Sequence, residues 1–198
     1  MDKKLKTAVD EPLGGLILMT LLTMIWTIVG ENSLKGKDFY ALGIIFMLVI
    51  LYFISFYLNF KKRKLLLPMT PIQEDTKKEK LYWIILIIEG VAILVMQNIL
   101  VNINKDALFI PCFALIVGLH FFPLAKVFNR KFDYYIGTWT TSFAVLGIFL
   151  TIKHSIHPYF INAMVCFACA TSTTFYGLNM ISNAKKIYAD EIKTNATC

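Results

Sequence analysis

The sequence predicts an all-α fold, a polytopic membrane bundle of six transmembrane helices with cytoplasmic N- and C-termini. Three observations carry that expectation. The 198 residues are 57% hydrophobic and 17% charged, well below the roughly 25% charged residues of an ordinary soluble domain. The apolar residues gather into six runs near the length of about 20 that a helix needs to cross a hydrocarbon layer about 30 Å thick. Of the 20 Lys and Arg residues, all but Lys35, Lys37, Lys105 and Lys153 fall in alternate connections on one side. That asymmetry marks the cytoplasmic face, and an even number of spans agrees with it.

Taken in order, residues 1–11 are polar, with Lys3, Lys4 and Lys6, and Pro12 opens the first run, 13–30, with Trp26 toward its far end. A basic start before an apolar centre also describes a signal peptide. The run is long enough to span and no small-residue cleavage site precedes Glu31, so it is expected to remain as a helix. The second run, 39–60, carries Tyr52 and Tyr57 late and stops at Lys61, Lys62, Arg63 and Lys64. The loop 61–80 that follows is broken by Pro68 and Pro71 and mixes Glu74, Asp75 and Glu79 with lysines. It is expected to anchor the topology and to touch anionic lipid headgroups, each nearby cation contributing about 1 kcal/mol.

The third run, 81–101, is interrupted by Glu89 and by the adjacent amides Gln97 and Asn98. The fourth, 107–128, has Pro111 near its start, His120 late and Pro123 three residues on. After a basic turn, 129–133, the fifth run, 134–152, carries Thr138, Thr140, Thr141 and Ser142. A short link leads to the sixth run, 158–182, and a polar tail from 183 closes the chain. Runs of about 20 continuous apolar residues are helical, because barrel strands are about 10 residues of alternating polarity. Small residues recur at spacings of three and four on the fifth run (Gly137, Thr141, Ala144, Gly147) and on the sixth (Ala163, Cys166, Ala170, Thr173, Gly177). Such stripes let helices approach closely, which predicts a tight hairpin of the fifth and sixth helices within three successive hairpins.

Two ionisable groups on adjoining apolar runs are the candidate chemistry. Each costs roughly 2.5–3.5 kcal/mol to insert on translocon scales, so each is expected inside the bundle with a partner. Glu89 lies roughly 12 Å into the third helix and His120 roughly 8 Å from the same edge on the returning helix, at 1.5 Å per residue. The depths match, so the side chains can meet directly or through water. Burial opposes both charged forms and mutual pairing favours both. Such a pair suits proton handling, against the plainer reading of a hydrogen-bonded pair that orients two helices. Gln97, Asn98 and Thr141 are further ligand- or proton-binding candidates, although Thr and Ser hydroxyls readily return to their own helix backbone. Pro111 and Pro123 are expected to kink the fourth helix near His120.

Other chemistry finds less support. Cys166 and Cys169 form a C-x-x-C spacing that in a membrane thiol oxidoreductase would need a polar or positive setting to hold a thiolate. His154 and His157 lack accompanying ligands, so no metal site is expected. No phosphate loop, hydrolase elbow or cofactor motif occurs, which leaves enzymatic activity unsupported and no cofactor expected. The net charge of +7 sits in clusters between apolar runs, which argues against nucleic acid and for the lipid bilayer as partner.

The segment from Gly118 through Leu119, His120, Phe121, Phe122, Pro123, Leu124 and Ala125 to Lys126, followed by Tyr134, Tyr135 and Gly137, resembles a segment of an uncharacterised family of small six-span bacterial membrane proteins. The resemblance implies a bacterial origin and a six-helix layout. The functional expectation is a small transporter or permease-like protein of the plasma membrane, moving a small molecule or ion. Because six spans are few for a complete secondary transporter, a homodimer is part of it. The contrasting expectation is a non-catalytic membrane partner or lipid-binding subunit.

Overall fold

A computed structural model describes residues 5–7, 9–35, 37, 38, 40–64, 70, 71 and 76–196. Lys3, Lys4, Cys198 and much of the loop expected to meet headgroups, including Pro68, Glu74 and Asp75, lie outside the described residues. Six helices follow in order: α1 (Asp10–Leu34), α2 (Ala41–Lys64), α3 (Thr76–Asn102), α4 (Phe109–Phe128), α5 (Lys131–Ile152) and α6 (Pro158–Ala196). All six contain a segment long and apolar enough to cross a membrane. The only other regular structure among the described residues is a single 3₁₀ turn, Asp106–Leu108, leading into α4, and a two-residue antiparallel pairing of β1 (Leu5–Lys6) with β2 (Thr70–Pro71).

The helices outrun the apolar segments. Hydropathy marks where side chains leave water, whereas a helix ends where its backbone hydrogen bonds end. Thus α1 runs past Glu31 to Leu34, and α2 absorbs Lys61, Lys62, Arg63 and Lys64 into its last turn, where cations meet the negative end of the helix dipole. The largest difference is at the end of the chain. The segment expected as a polar tail continues α6 as helix to Ala196, making it 39 residues long.

The helix α6 is the centre of the bundle. Its apolar window is 67% buried, against 6% for α3, which lies at the edge and packs mainly on α4. The expected α5–α6 hairpin is corrected here: α6 packs most extensively on α1, and α5 on α4. The small-residue stripes do permit close approach, but each serves a different neighbour. On α6, the Thr173 hydroxyl meets that of Thr23 on α1 at 2.8 Å. Gly30 of α1 lies against Phe167 and Cys166, and Gly177 lies against Phe53 of α2. On α5, Gly137 abuts Phe121 and the Gly118 carbonyl of α4, while Gly147 abuts Pro111 and Val165. The α5–α6 contact is real but smaller, marked by Trp139 Nε1 donating to the Ala168 carbonyl at 3.0 Å and by Thr140 donating to Ser172 at 3.1 Å.

Two junctions position the ends. Between α4 and α5, Asn129 takes a left-handed conformation (φ 52°) and the Arg130 N–H returns to the Ala125 carbonyl at 3.0 Å. Asparagine tolerates that backbone region better than most residues, so the chain reverses within two residues. Between α1 and α2, Glu31 Oε1 accepts the Gly43 N–H at 2.5 Å, satisfying one of the open donors at the start of α2. The start of α1, the last turn of α2, the later part of α6 and the α4–α5 turn share one end of the bundle, where Val9, Leu13, Phe60 and Ala184 pack together and Arg130 reaches Glu11. The outward surface is apolar. Ile87, Ile88, Val91 and Leu94 on α3 are each more than half exposed, a surface suited to hydrocarbon.

Candidate functional site

The helix α3 has a single inward stripe, and Glu89 is in the middle of it. Tyr82, Ile85, Leu86, Glu89, Ala92, Ile93, Met96 and Leu100 are its half-buried or buried positions, spaced by three and four, while the intervening residues from Leu81 to Ile99 are exposed. That period places Glu89 against α4. Tyr82 secures the end of the seam, its ring 6.0 Å from that of Phe128. Across the seam, His120 Nδ1 lies 3.2 Å from Glu89 Oε1, and both side chains are 14% exposed. The atoms are close without the alignment of a hydrogen bond, because Nδ1 is buried and has no hydrogen-bond partner. The contact is therefore electrostatic, strong when His120 is protonated and Glu89 ionised. The imidazole also stacks on the ring of Phe121 at 4.3 Å.

Behind His120 is a second group that sequence reasoning missed. Asp133, assigned from sequence to a turn, belongs to the first turn of α5 and is only 2% exposed. Tyr176 of α6 donates to its Oδ1 at 2.7 Å. His120 lies within electrostatic reach of the same carboxylate, and Arg130 pairs with Glu11 of α1 at the edge of the group. Burial works against the charge of Arg130, but Tyr176, Glu11 and Asp133 around it outweigh that and hold its pKa above the ordinary arginine value. Polar side chains thus follow one another from Glu89 on α3 through His120 on α4 and Asp133 on α5 to Tyr176 on α6. A signal for Asp133 was present. It lies four residues before Gly137, so the small-residue stripe of α5 extended by one turn reaches it.

The other sequence candidates are not brought to this place. Gln97 and Asn98 are exposed on the outward face of α3, and Asn98 returns its amide to the Leu94 carbonyl at 2.8 Å. Thr141 faces α4 at Gly118, its buried hydroxyl without a partner. Most other hydroxyls go back to their own helix, as those of Thr20, Thr27, Thr151 and Thr171 do. Of the two prolines in α4, Pro111 sits in the first turn, where no amide is needed, and Pro123 lies inside a helix that continues unbroken to Phe128. Lacking an N–H, Pro123 leaves the Leu119 carbonyl without its helical donor, next to His120.

Cys166 and Cys169 are fully buried free thiols, and Cys112 is half-buried. Cys166 packs against Gly30, a close-packed setting without the positive or polar groups that hold a thiolate. His154 and His157 are exposed at the opposite end, the ring of His157 lying 4.2 Å from that of Tyr159.

The class these features define is a six-helix, outwardly apolar bundle with an acid–imidazole contact in one of its seams. Comparison with known protein families, curated proteins and solved structures finds no match to the chain.

Proposed function

We propose that the chain is a multi-pass membrane protein of the transporter or permease type, with both termini cytoplasmic, in which Glu89 and His120 form a proton-responsive pair. The observation that carries the reading is the 3.2 Å approach of an acid and an imidazole in a seam otherwise lined by apolar side chains. An ion pair in that setting pulls α3 onto α4. Once a proton neutralises Glu89, or leaves His120, the pull disappears, and α3 has little other burial to hold it. Protonation is then coupled to the position of the least anchored helix, the kind of bistable element that alternating access requires. Asp133, within electrostatic reach of His120, gives a proton a second acceptor in the first turn of α5. The cationic stretches 61–64, 126–131 and 185–186 set the orientation by the positive-inside rule.

The test is hydrogen exchange on α3 in protein reconstituted in lipid, between pH 5 and 8, for the wild type, Glu89→Gln and His120→Gln, with thermal stability in parallel. The expected result is a pH-dependent protection of α3 that both substitutions abolish while the fold remains intact. Protection independent of pH in the wild type overturns the proposal. Loss of stability without loss of the pH response reduces the pair to a structural contact.

A further inference from the structure

At the end of the bundle where α1 begins, a half-open recess of about 340 Å³ lies between the starts of α1 and α5 and the second half of α6. That volume is within the range of small-molecule sites. Its charges divide into committed and uncommitted groups. Glu11 and Arg130 pair with one another, and Asp133 accepts from Tyr176. Lys131 and Lys186, which also line the recess, make no hydrogen bond or ion pair with any described residue, and neither do the amides of Asn179 and Asn183. Two lysines and two asparagines with uncommitted side chains therefore line the recess, while the acids beside them are already engaged.

Two features add to this balance. The helix α5 opens at the wall of the recess, and Arg130 at its cap position makes no side-chain bond to the first turn, so the positive end of the helix dipole adds to the field. The remaining lining includes Phe132, Met180 and Ile187, apolar surface beside a cationic rim. We propose that this recess binds a phosphate-bearing group, with Lys131 and Lys186 taking the charge and Asn179 and Asn183 donating to its oxygens. The same chemistry is offered by a phospholipid headgroup and by a soluble phosphate ester. Neither Glu89 nor His120 lines the recess.

The experiment titrates purified protein in uncharged detergent with short-chain phosphatidylglycerol and, separately, with glycerol 3-phosphate, reading thermal stability and affinity. Lys131→Gln and Lys186→Gln are each expected to weaken binding about fivefold and the double variant about twenty-five-fold, whereas Lys131→Arg with Lys186→Arg retains it. Lys105→Gln with Lys153→Gln, exposed cations at the opposite end of the bundle, leaves affinity unchanged. Binding of the lipid alone assigns the site to a headgroup, and equal binding of glycerol 3-phosphate assigns it to a soluble ester. Absence of binding by both probes, or equal losses from the 105/153 and 131/186 pairs, overturns the proposal.

Discussion

Gly118→Ala should separate α4 from α5, and the size of the effect follows from the crossing point. A Cβ at position 118 would lie 2.6 Å from Thr141 Oγ1 and 2.8 Å from the Thr141 backbone nitrogen. Ordinary contact needs the second distance to grow by roughly 0.6 Å, and a backbone atom in the middle of a helix cannot rotate away. The two helices must move apart along their whole seam, and overpacking of that kind costs about 1–3 kcal/mol. Against this stands the gain of about 1 kcal/mol from replacing glycine by alanine within a helix, so the net loss is about 0–2 kcal/mol and the deficit relative to an unobstructed glycine is about 1–3 kcal/mol. Gly90 supplies the control, since nothing lies within 4 Å of its added Cβ and Gly90→Ala should keep the gain. Adding Thr141→Ala to Gly118→Ala removes the hydroxyl clash but not the backbone clash, so it should restore less than half of the loss. Reversible unfolding in mixed micelles measures all three, and Gly118→Ala as stable as Gly90→Ala would refute the crossing geometry.

Two further outcomes follow from the buried groups. Tyr176→Phe removes the hydrogen bond to Asp133, a buried carboxylate, and should lower stability by about 1.5–3 kcal/mol in the same unfolding assay; a loss under about 0.5 kcal/mol would mean that water replaces the phenol. Cys166 and Cys169, sealed in the centre of the bundle, should resist a maleimide in the folded protein and react on unfolding, and mass spectrometry showing either one labelled as fast as half-buried Cys112 would contradict the packing of α6 on α1.

Much of the architecture is legible along the chain because each of the six helices carries a continuous apolar segment long enough to cross a membrane. The six runs, their helical character and the charge asymmetry follow from local composition. The meeting of Glu89 and His120 was legible too, because each lies at a computable depth on adjoining antiparallel helices and neither is cheap to leave in hydrocarbon. Less was legible where a decision depended on which helix faces which. The stripe on α5 could be read, but not that its partner is α4. Gln97 and Asn98 looked equivalent to Glu89 as polar interruptions, yet a helix turns 100° per residue, and eight or nine residues on they point outward, where Asn98 satisfies itself on its own backbone. Asp133 was hidden by its basic surroundings, which resemble a solvated turn until Tyr176 arrives from 43 residues away.

By itself, then, the sequence determined the number of helices, their nature and where the costly charges lie along them, since these depend on one-dimensional properties: run length, hydropathy and residue spacing. Only the tertiary structure decided that α6 is the core, that α3 is held by one seam, and that an acid from the first turn of α5 closes the polar line behind His120. Those facts rest on the fit of helix surfaces brought together from distant parts of the chain, where a few tenths of an ångström at a glycine select one neighbour over another.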